Sequence, residues 1–186
     1  MMERAGAIGI EGFLHCSELE QLIDLACGKD VLEVGSFKGL SSWGMATTAR
    51  SLFCVDTFRS NSGGQQQVEE LTTLVHFLHA VSRFKNVSYF VGTSAEAHAQ
   101  AHPVGQNTEG GSFVPHGQFD MVFLDAMHDY ENVKADIDRW WPRVRAGGLM
   151  AFHDYGHGDF PGVKLAVDEK LGPLPNVLVT LGWLTK

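Results

Sequence analysis

The stretch VFLDAMHDYENVKAD, residues 122–136, decides how this chain is read. An apolar run ends in Asp125, and His128, Asp129 and Tyr130 follow before a helix can begin. A short apolar run bounded by polar residues has the pattern of a buried strand. Asp129, just ahead of an amphipathic segment, is a good helix N-cap. Capping accounts for Asp129 but not for Asp125, and the structural alternative for His128, as for His153, is a histidine satisfied by loop hydrogen bonds. Whether ionisable side chains gathered where a buried strand leaves the core are also chemistry is decided by the rest of the sequence.

Working outward, apolar runs alternate with helix-like segments nearly throughout. Strands are expected over 30–35, 51–56, 87–92, 119–125 and 148–154, with one or two more in 176–186. Helices are expected over 19–27, 40–50, 67–84, 94–101, 131–144 (Pro142 near its end) and 163–171. In the 67–84 helix, Leu71, Leu74, Val75 and Leu78 form the apolar stripe. Residues 102–118, rich in Gly, Pro, Asn and Gln, break the rhythm and read as a long surface loop. Strand–helix alternation specifies an α/β fold: a mostly parallel, doubly wound sheet with helices on both faces, in three α/β/α layers. One such domain accounts for residues 1–186. Ligands of such sheets bind beyond the carboxyl ends of the strands. Glu33 and Gly35, Asp56, Asp125 and His128, and His153 with Asp154 all fall there.

Composition narrows the function classes. Apolar residues make up 44% and charged residues 19%, a globular balance, and the formal net charge is −8. A chain this acidic is a poor partner for a phosphate backbone, so no nucleic-acid partner is expected. Cys16, Cys27 and Cys54 are scattered without metal-type spacing and read as free thiols of a reducing cytoplasm. No charged n-region with an apolar h-region opens the chain, and no apolar run is long enough to span a membrane. A cytoplasmic protein with no membrane partner is expected.

The segment LEVGSFKGLS, 32–41, places Gly35 and Gly39 around a strand–helix turn. The spacing is ExGxxxG rather than GxGxxG, so the dinucleotide fingerprint is absent. Glu33 would repel a pyrophosphate but would tolerate a cation or a hydroxyl-rich ligand. A ligand-free tight turn is the alternative. Asp56 ends the next strand, where an acid can accept from both hydroxyls of a ribose; an Asx-turn is its alternative. Asp125, His153 and Asp154 sit at the ends of neighbouring strands, an oxygen-rich set suited to Mg²⁺ or a similar hard cation. His128 lies where it could take a proton from a substrate hydroxyl. Of the other histidines, His15 is open, and His76, His79, His98, His102, His116 and His157 read as surface or packing residues, as Trp140 and Trp141 read as core.

Together VLEVGSFKGLSSWGMA, LFCVDTF, VGTSAE, the 119–155 segment with its DxxHxY and GGxxxxHD spacings, and PGVKLAVDE resemble class I S-adenosylmethionine-dependent methyltransferases, whose fold is Rossmann-like. The resemblance covers about residues 11–170 and is nearest to the small-molecule O-methyltransferase branch that includes macrolide-sugar and cephalosporin-pathway enzymes. It implies that the segment holding Glu33, Gly35, Ser36, Phe37, Gly39 and Ser41 wraps the methionine end of the cofactor. It implies further that Asp56 binds the ribose, that Thr57 and Phe58 lie near the adenosine, and that Ser94 lies beside the adenine. Asp125 matches a metal-ligand aspartate and His128 a general base; from their spacing at the strand end, both are also expected to face the cofactor's methyl group. His153 and Asp154 fall where metal-binding members carry two acids; the histidine is a departure that bears on the metal more than on methyl transfer. The segment before Glu33 is short for lid elements, the 102–118 loop is long, and the chain after Leu171 is short for a full antiparallel strand pair.

The function these observations favour is methyl transfer from S-adenosylmethionine to a hydroxyl of a small molecule, a sugar or a phenol, assisted by Mg²⁺ or another divalent cation. A homodimer is compatible with this. Three rivals stand beside it: a nucleotide-binding oxidoreductase, which would need the missing GxGxxG; a non-catalytic cofactor-binding module; and a divalent-metal hydrolase built on Asp125, His128, His153 and Asp154.

Overall fold

The computed structural model describes residues 9–59, 66–100 and 117–186. The apolar runs become strands β1 (Asp30–Val34), β2 (Ser51–Asp56), β3 (Val87–Val91), β4 (Phe119–Leu124), β5 (Val144–Phe152), β6 (Asn176–Leu178) and β7 (Leu181–Thr185). Between them run α1 (Cys16–Ala26), α2 (Leu40–Ala46), α3 (Gln66–Val81), α4 (Ser94–Gln100), α5 (Tyr130–Trp140) and α6 (Pro161–Leu171). The strands form one sheet in the order β3-β2-β1-β4-β5-β7-β6. β1 to β5 are parallel, and β7 is antiparallel to both β5 and β6. This is the doubly wound, mostly parallel sheet expected.

Side chains alternate between the two sheet faces, which gives two cores. Leu32, Val34, Phe53, Val122 and Phe152 pack with Ile137, Trp140 and Val163 on one face. Val31, Leu52, Met121, Phe123 and Ala151 pack with Leu19, Leu22, Met45 and Phe77 on the other. The sheet's order reverses between β1 and β4, so the crevice for a ligand opens beyond those two strand ends.

The elements depart from expectation where local chemistry overrides periodicity. α1 begins at Cys16 because His15 caps it: its Nδ1 accepts from the Ser17 amide (3.2 Å), while Glu18 accepts from the His15 amide (2.8 Å). α5 ends at Trp140 and tightens into a 3-10 turn, Trp141–Arg143, because Pro142 has no amide hydrogen to continue the helix. β5 starts at Val144 and shifts register opposite Phe119 and Met121, with Gly147 at φ +75°. In α3 the buried stripe is Thr73, Phe77, Ala80 and Val81; Leu71 and Val75, expected to face the core, are exposed. The C-terminal segment supplies two strands, the upper of the two counts expected, as a short antiparallel pair in which β6 has only three residues. The hairpin fits because its turn is minimal, with Val179 left-handed at φ +56°. Of the long loop, only residues 117 and 118 lie among those described. Among the described residues, no helix is long and apolar enough to cross a membrane.

Past the strand ends the pairing continues: Asp125 donates its amide to Val34 O (2.8 Å), Gly35 to Val55 O (2.9 Å) and His153 to Leu124 O (3.1 Å). Gly35, at φ +93°, lies so close to β4 that a Cβ there would fall 2.1 Å from the Asp125 carbonyl oxygen. Gly35→Ala should therefore lower folding stability by about 1–3 kcal/mol or more, from left-handed strain plus a backbone clash, read as a drop in denaturant midpoint. Asp129 caps α5 by accepting from the amide (3.1 Å) and side-chain nitrogen (2.8 Å) of Asn132. Asp129→Ala should cost about 0.5–2 kcal/mol of stability, as lost N-caps do, measured in the same unfolding experiment.

Candidate active site

The β1–α2 turn is shaped from below. Glu33 is wholly buried and accepts hydrogen bonds from the hydroxyls of Ser36 (2.8 Å), Ser41 (2.5 Å) and Ser42. Burial pushes its pKa up, and the three serines oppose the shift. Glu33 therefore does not reach the cleft: it holds the turn whose Gly35, Ser36, Phe37 and Ser41 line it. Gly39, at φ +88°, makes room for Ala80 and Phe77 of α3 rather than for a ligand. Both residues were expected to touch the cofactor, and both act one layer beneath it.

Asp56 lines the cleft and laces two loops together. One carboxylate oxygen accepts from the amides of Ser36 (2.7 Å) and Phe37 (2.8 Å), the other from that of Phe58 (2.6 Å). A carboxylate accepts about four hydrogen bonds, so capacity remains for a ligand hydroxyl. Thr57 lines the cleft as well. Phe58 does not: it is buried, its ring 5.0 Å from that of Phe77, because its φ of +53° turns it into the core. Ser94 lines the cleft beyond β3, but its hydroxyl donates to Asp136 (2.5 Å) and accepts from the Trp140 indole (2.8 Å). Asp136, buried with its pKa pushed up by desolvation and paired to Arg139 at 2.9 Å, is a cleft residue that the helical periodicity of α5 concealed.

The ends of β4 and β5 bring four ionisable side chains together. His128 Nε2 lies 3.1 Å from Asp154 Oδ2 and 3.6 Å from Asp125 Oδ1. His153 Nδ1 lies 3.2 Å from both carboxylates, and its Nε2 lies 3.5 Å from Glu18. The nearby carboxylates of Asp125 and Asp154 lift the His128 pKa to about 9 against the effect of burial. Burial works against the charged form of His153, but the charge of Asp125 and hydrogen bonds to Asp125, Asp154 and Glu18 outweigh it and push the pKa to about 12. Burial would raise the Asp154 carboxyl, yet the two histidines hold it well below the usual range. Asp154 has a left-handed backbone, φ +57°, which aspartate tolerates better than most residues.

Asp125, His128 and Asp154 each offer a donor atom, all within 4.8 Å of one another. The buried His128 Nε2 has no aligned hydrogen-bond partner, the condition a cation between the three would relieve. Two carboxylates and an imidazole fit a divalent ion. His153 does not belong to that set, because both its ring nitrogens already face carboxylates; His128 takes the place expected for it. Sequence reasoning also missed Glu18. It is almost fully buried on α1 and accepts from the Thr180 amide (2.8 Å) and hydroxyl (2.8 Å) and the Leu181 amide (3.0 Å). Hydrogen bonds from His153, His15 and Thr180 overcome its burial and lower its pKa to about 2. Its one sequence signal is its position three residues after the His15 cap.

These groups surround a cavity of about 960 Å³ beyond the carboxyl ends of the parallel strands. That is the upper end of small-molecule pocket sizes. A search of curated protein sequences finds no match. Solved structures share the fold at low identity. The O-methyltransferase TomG from Streptomyces achromogenes, in complex with SAM, is 16% identical, with TM-score 0.62 over 87% of this chain and 70% of that one. An O-methyltransferase from Bacillus cereus in complex with SAH is 14% identical, with TM-score 0.61 over 88% and 73%. The N-methyltransferase NodS from Bradyrhizobium japonicum is 13% identical, with TM-score 0.58 over 91% and 94%. A family model described as a methyltransferase domain matches residues 32–155, which hold Asp56, Asp125, His128 and Asp154 as well as the β1–α2 turn, and the chain belongs to that methyltransferase family.

Proposed function

We propose that this methyltransferase transfers a methyl group from S-adenosylmethionine to a hydroxyl of a small molecule. The observation that carries this is one cavity lined both by Asp56 and by the Asp125–His128–Asp154 cluster. Only β1 separates β2 from β4, so Asp56 and Asp125 end strands about 10 Å apart. That span suits a ribose at one end and a reacting methyl group at the other.

S-adenosylmethionine, when bound, supplies an electrophilic methyl carbon on a positively charged sulfur. Transfer breaks the sulfur–carbon bond, forms an oxygen–carbon bond and leaves a neutral thioether. The protein's part is to hold, orient and deprotonate. Asp56 accepts from a ribose hydroxyl with the acceptor site that its three amide bonds leave free. The turn above Glu33 fixes the backbone around the methionine end. The acceptor hydroxyl lies against Asp125 and Asp154, and His128 Nε2, in its neutral form, takes its proton. A divalent cation held by Asp125, His128 and Asp154 would be an alternative to that base, because Nε2 cannot ligate a cation and accept a proton at once. Such a cation would lower the pKa of the hydroxyl and orient it.

Calorimetric titration with S-adenosylmethionine tests the proposal, with NAD as the control expected to give no heat. Asp56→Ala should weaken binding by about 1–3 kcal/mol, the scale of a charged hydrogen bond removed; unchanged affinity would remove the ribose assignment. His128→Ala should lower kcat on any hydroxyl acceptor by about 10²–10⁴-fold while cofactor affinity holds. The same variant, Asp125→Asn and Asp154→Asn should each weaken Mn²⁺ binding followed by electron paramagnetic resonance. Wild-type protein with no measurable Mn²⁺ site would leave His128 as a base without a metal.

A further inference from the structure

We infer that the acceptor is a hydroxylated aromatic ring carrying no negative charge. This deepens the methyl-transfer reading above and rests on it.

The shape of the rim is the first support. Phe13, 68% exposed, and Phe37, 38% exposed, stand at the cavity with ring centroids 5.6 Å apart. Phe37 is presented by a left-handed backbone (φ +46°) whose amide is held by Asp56. Phe160, also lining the cavity, stacks on His128 at 4.4 Å and 30° and on His157 at 5.3 Å and 31°. Flat faces thus stand beside the reacting cluster and at the mouth above it. Exposed aromatic rings gain about 25 cal/mol for each Å² covered, and an aromatic acceptor adds ring–ring contacts that are favourable beyond that area, which a sugar stacking through its C–H face lacks.

Charge is the second support, and it is independent of the first. Among the described residues lining the cavity, the only Lys or Arg is Arg139, which is already paired with Asp136 beside Ser94. On the side of the cluster the lining carries the carboxylates of Glu18, Asp125, Asp154 and Asp159, against histidines alone. Glu11, also at the rim, is neutralised by Lys38 at 2.6 Å. A phosphate or carboxylate on the acceptor would meet no unpaired Lys or Arg there and would face like charges, which costs affinity and slows encounter. A neutral phenol meets no such penalty, and a ring bearing an ammonium group gains from the same field. In the reaction the phenolic oxygen loses its proton to His128, forms the new bond to the methyl carbon, and the sulfur leaves as thioether.

Four probes decide the matter: catechol, dopamine, 3,4-dihydroxybenzoate and methyl glucoside. Each is titrated into the S-adenosylhomocysteine-saturated protein under saturation-transfer NMR, and each is incubated with S-adenosylmethionine and scanned for its methyl ether by mass spectrometry. Catechol and dopamine should bind and be methylated, 3,4-dihydroxybenzoate should bind at least about tenfold more weakly, and the glucoside should do neither. Phe13→Ala should raise KM for catechol about tenfold with S-adenosylhomocysteine affinity unchanged. Equal binding of 3,4-dihydroxybenzoate and catechol overturns the charge argument. Preference for the glucoside, or no binding of either catechol by protein that binds S-adenosylhomocysteine, overturns the aromatic acceptor and leaves methyl transfer standing. Protein that fails to bind S-adenosylhomocysteine overturns both.

Discussion

The imidazole of His153 is shared by three carboxylates, and the architecture of the site hangs on it. Asp125 brings the end of β4, Asp154 the turn after β5, and Glu18 the helix α1. Through Glu18 the same node reaches the amides of Thr180 and Leu181 and so fixes the turn between β6 and β7. Taking charges out of water is expensive, and the mutual attraction offsets that cost only when geometry and further hydrogen bonds are good. Here Glu18 has those further bonds, and His153 has a carboxylate at each nitrogen. The node therefore specifies where four separate chain segments meet, whatever its net contribution to stability. It also leaves Asp125 and Asp154 facing His128, where the two carboxylates favour its protonated form.

Two carboxylates at neighbouring strand ends show how environment divides roles that sequence makes look alike. Glu33 and Asp56 both end the run of a parallel strand. Glu33 points to the α2 side, is sealed from water and binds three serine hydroxyls, so it stiffens the turn. Asp56 stands in the cleft and binds three backbone amides, so it ties the turn to β2 while keeping acceptor capacity open. The glycines divide in the same way. Gly35 is required because β1 and β4 approach so closely at the point where the sheet's order reverses. A glycine that lets two pieces of backbone meet leaves the same trace in sequence as one that admits a ligand.

The order of strands and helices and the gathering of Asp56, Asp125, His128 and Asp154 at strand ends were legible because both follow from short-range pattern plus one topological rule. What escaped the sequence depended on partners distant along the chain. His15 is an uncommon cap, and only the reciprocal bond from Glu18 makes it one. Phe58 follows two cleft residues in sequence, but its own left-handed backbone turns it inward. Leu71 and Val75 carry the right spacing for a buried stripe, yet Phe77 and Ala80 set the helix's rotation against α2 and the sheet. His153 read as a ligand because its neighbour does, and nothing local announced that Glu18, 135 residues earlier, would face its second nitrogen.

The split between shared and private parts of the molecule follows the same logic. O- and N-methyltransferases share this sheet at identities below one fifth, so the sheet does not choose the acceptor. The family model covers residues 32–155. Phe13, Glu18, His157, Asp159, Phe160, Val179 and Thr180, which line the side of the cavity away from the β1–β3 strand ends, all lie outside that span. They come from the approach to α1, from α1 itself, from the β5–α6 connection and from the turn of the C-terminal hairpin. Loops and termini tolerate change that core strands do not. A methyl donor common to the family can therefore be held by the matched region while acceptor choice is set by residues around it. In this chain Glu18 couples the two: it reaches from α1, outside the matched span, to His153, which also faces Asp125 and Asp154 at the ends of β4 and β5.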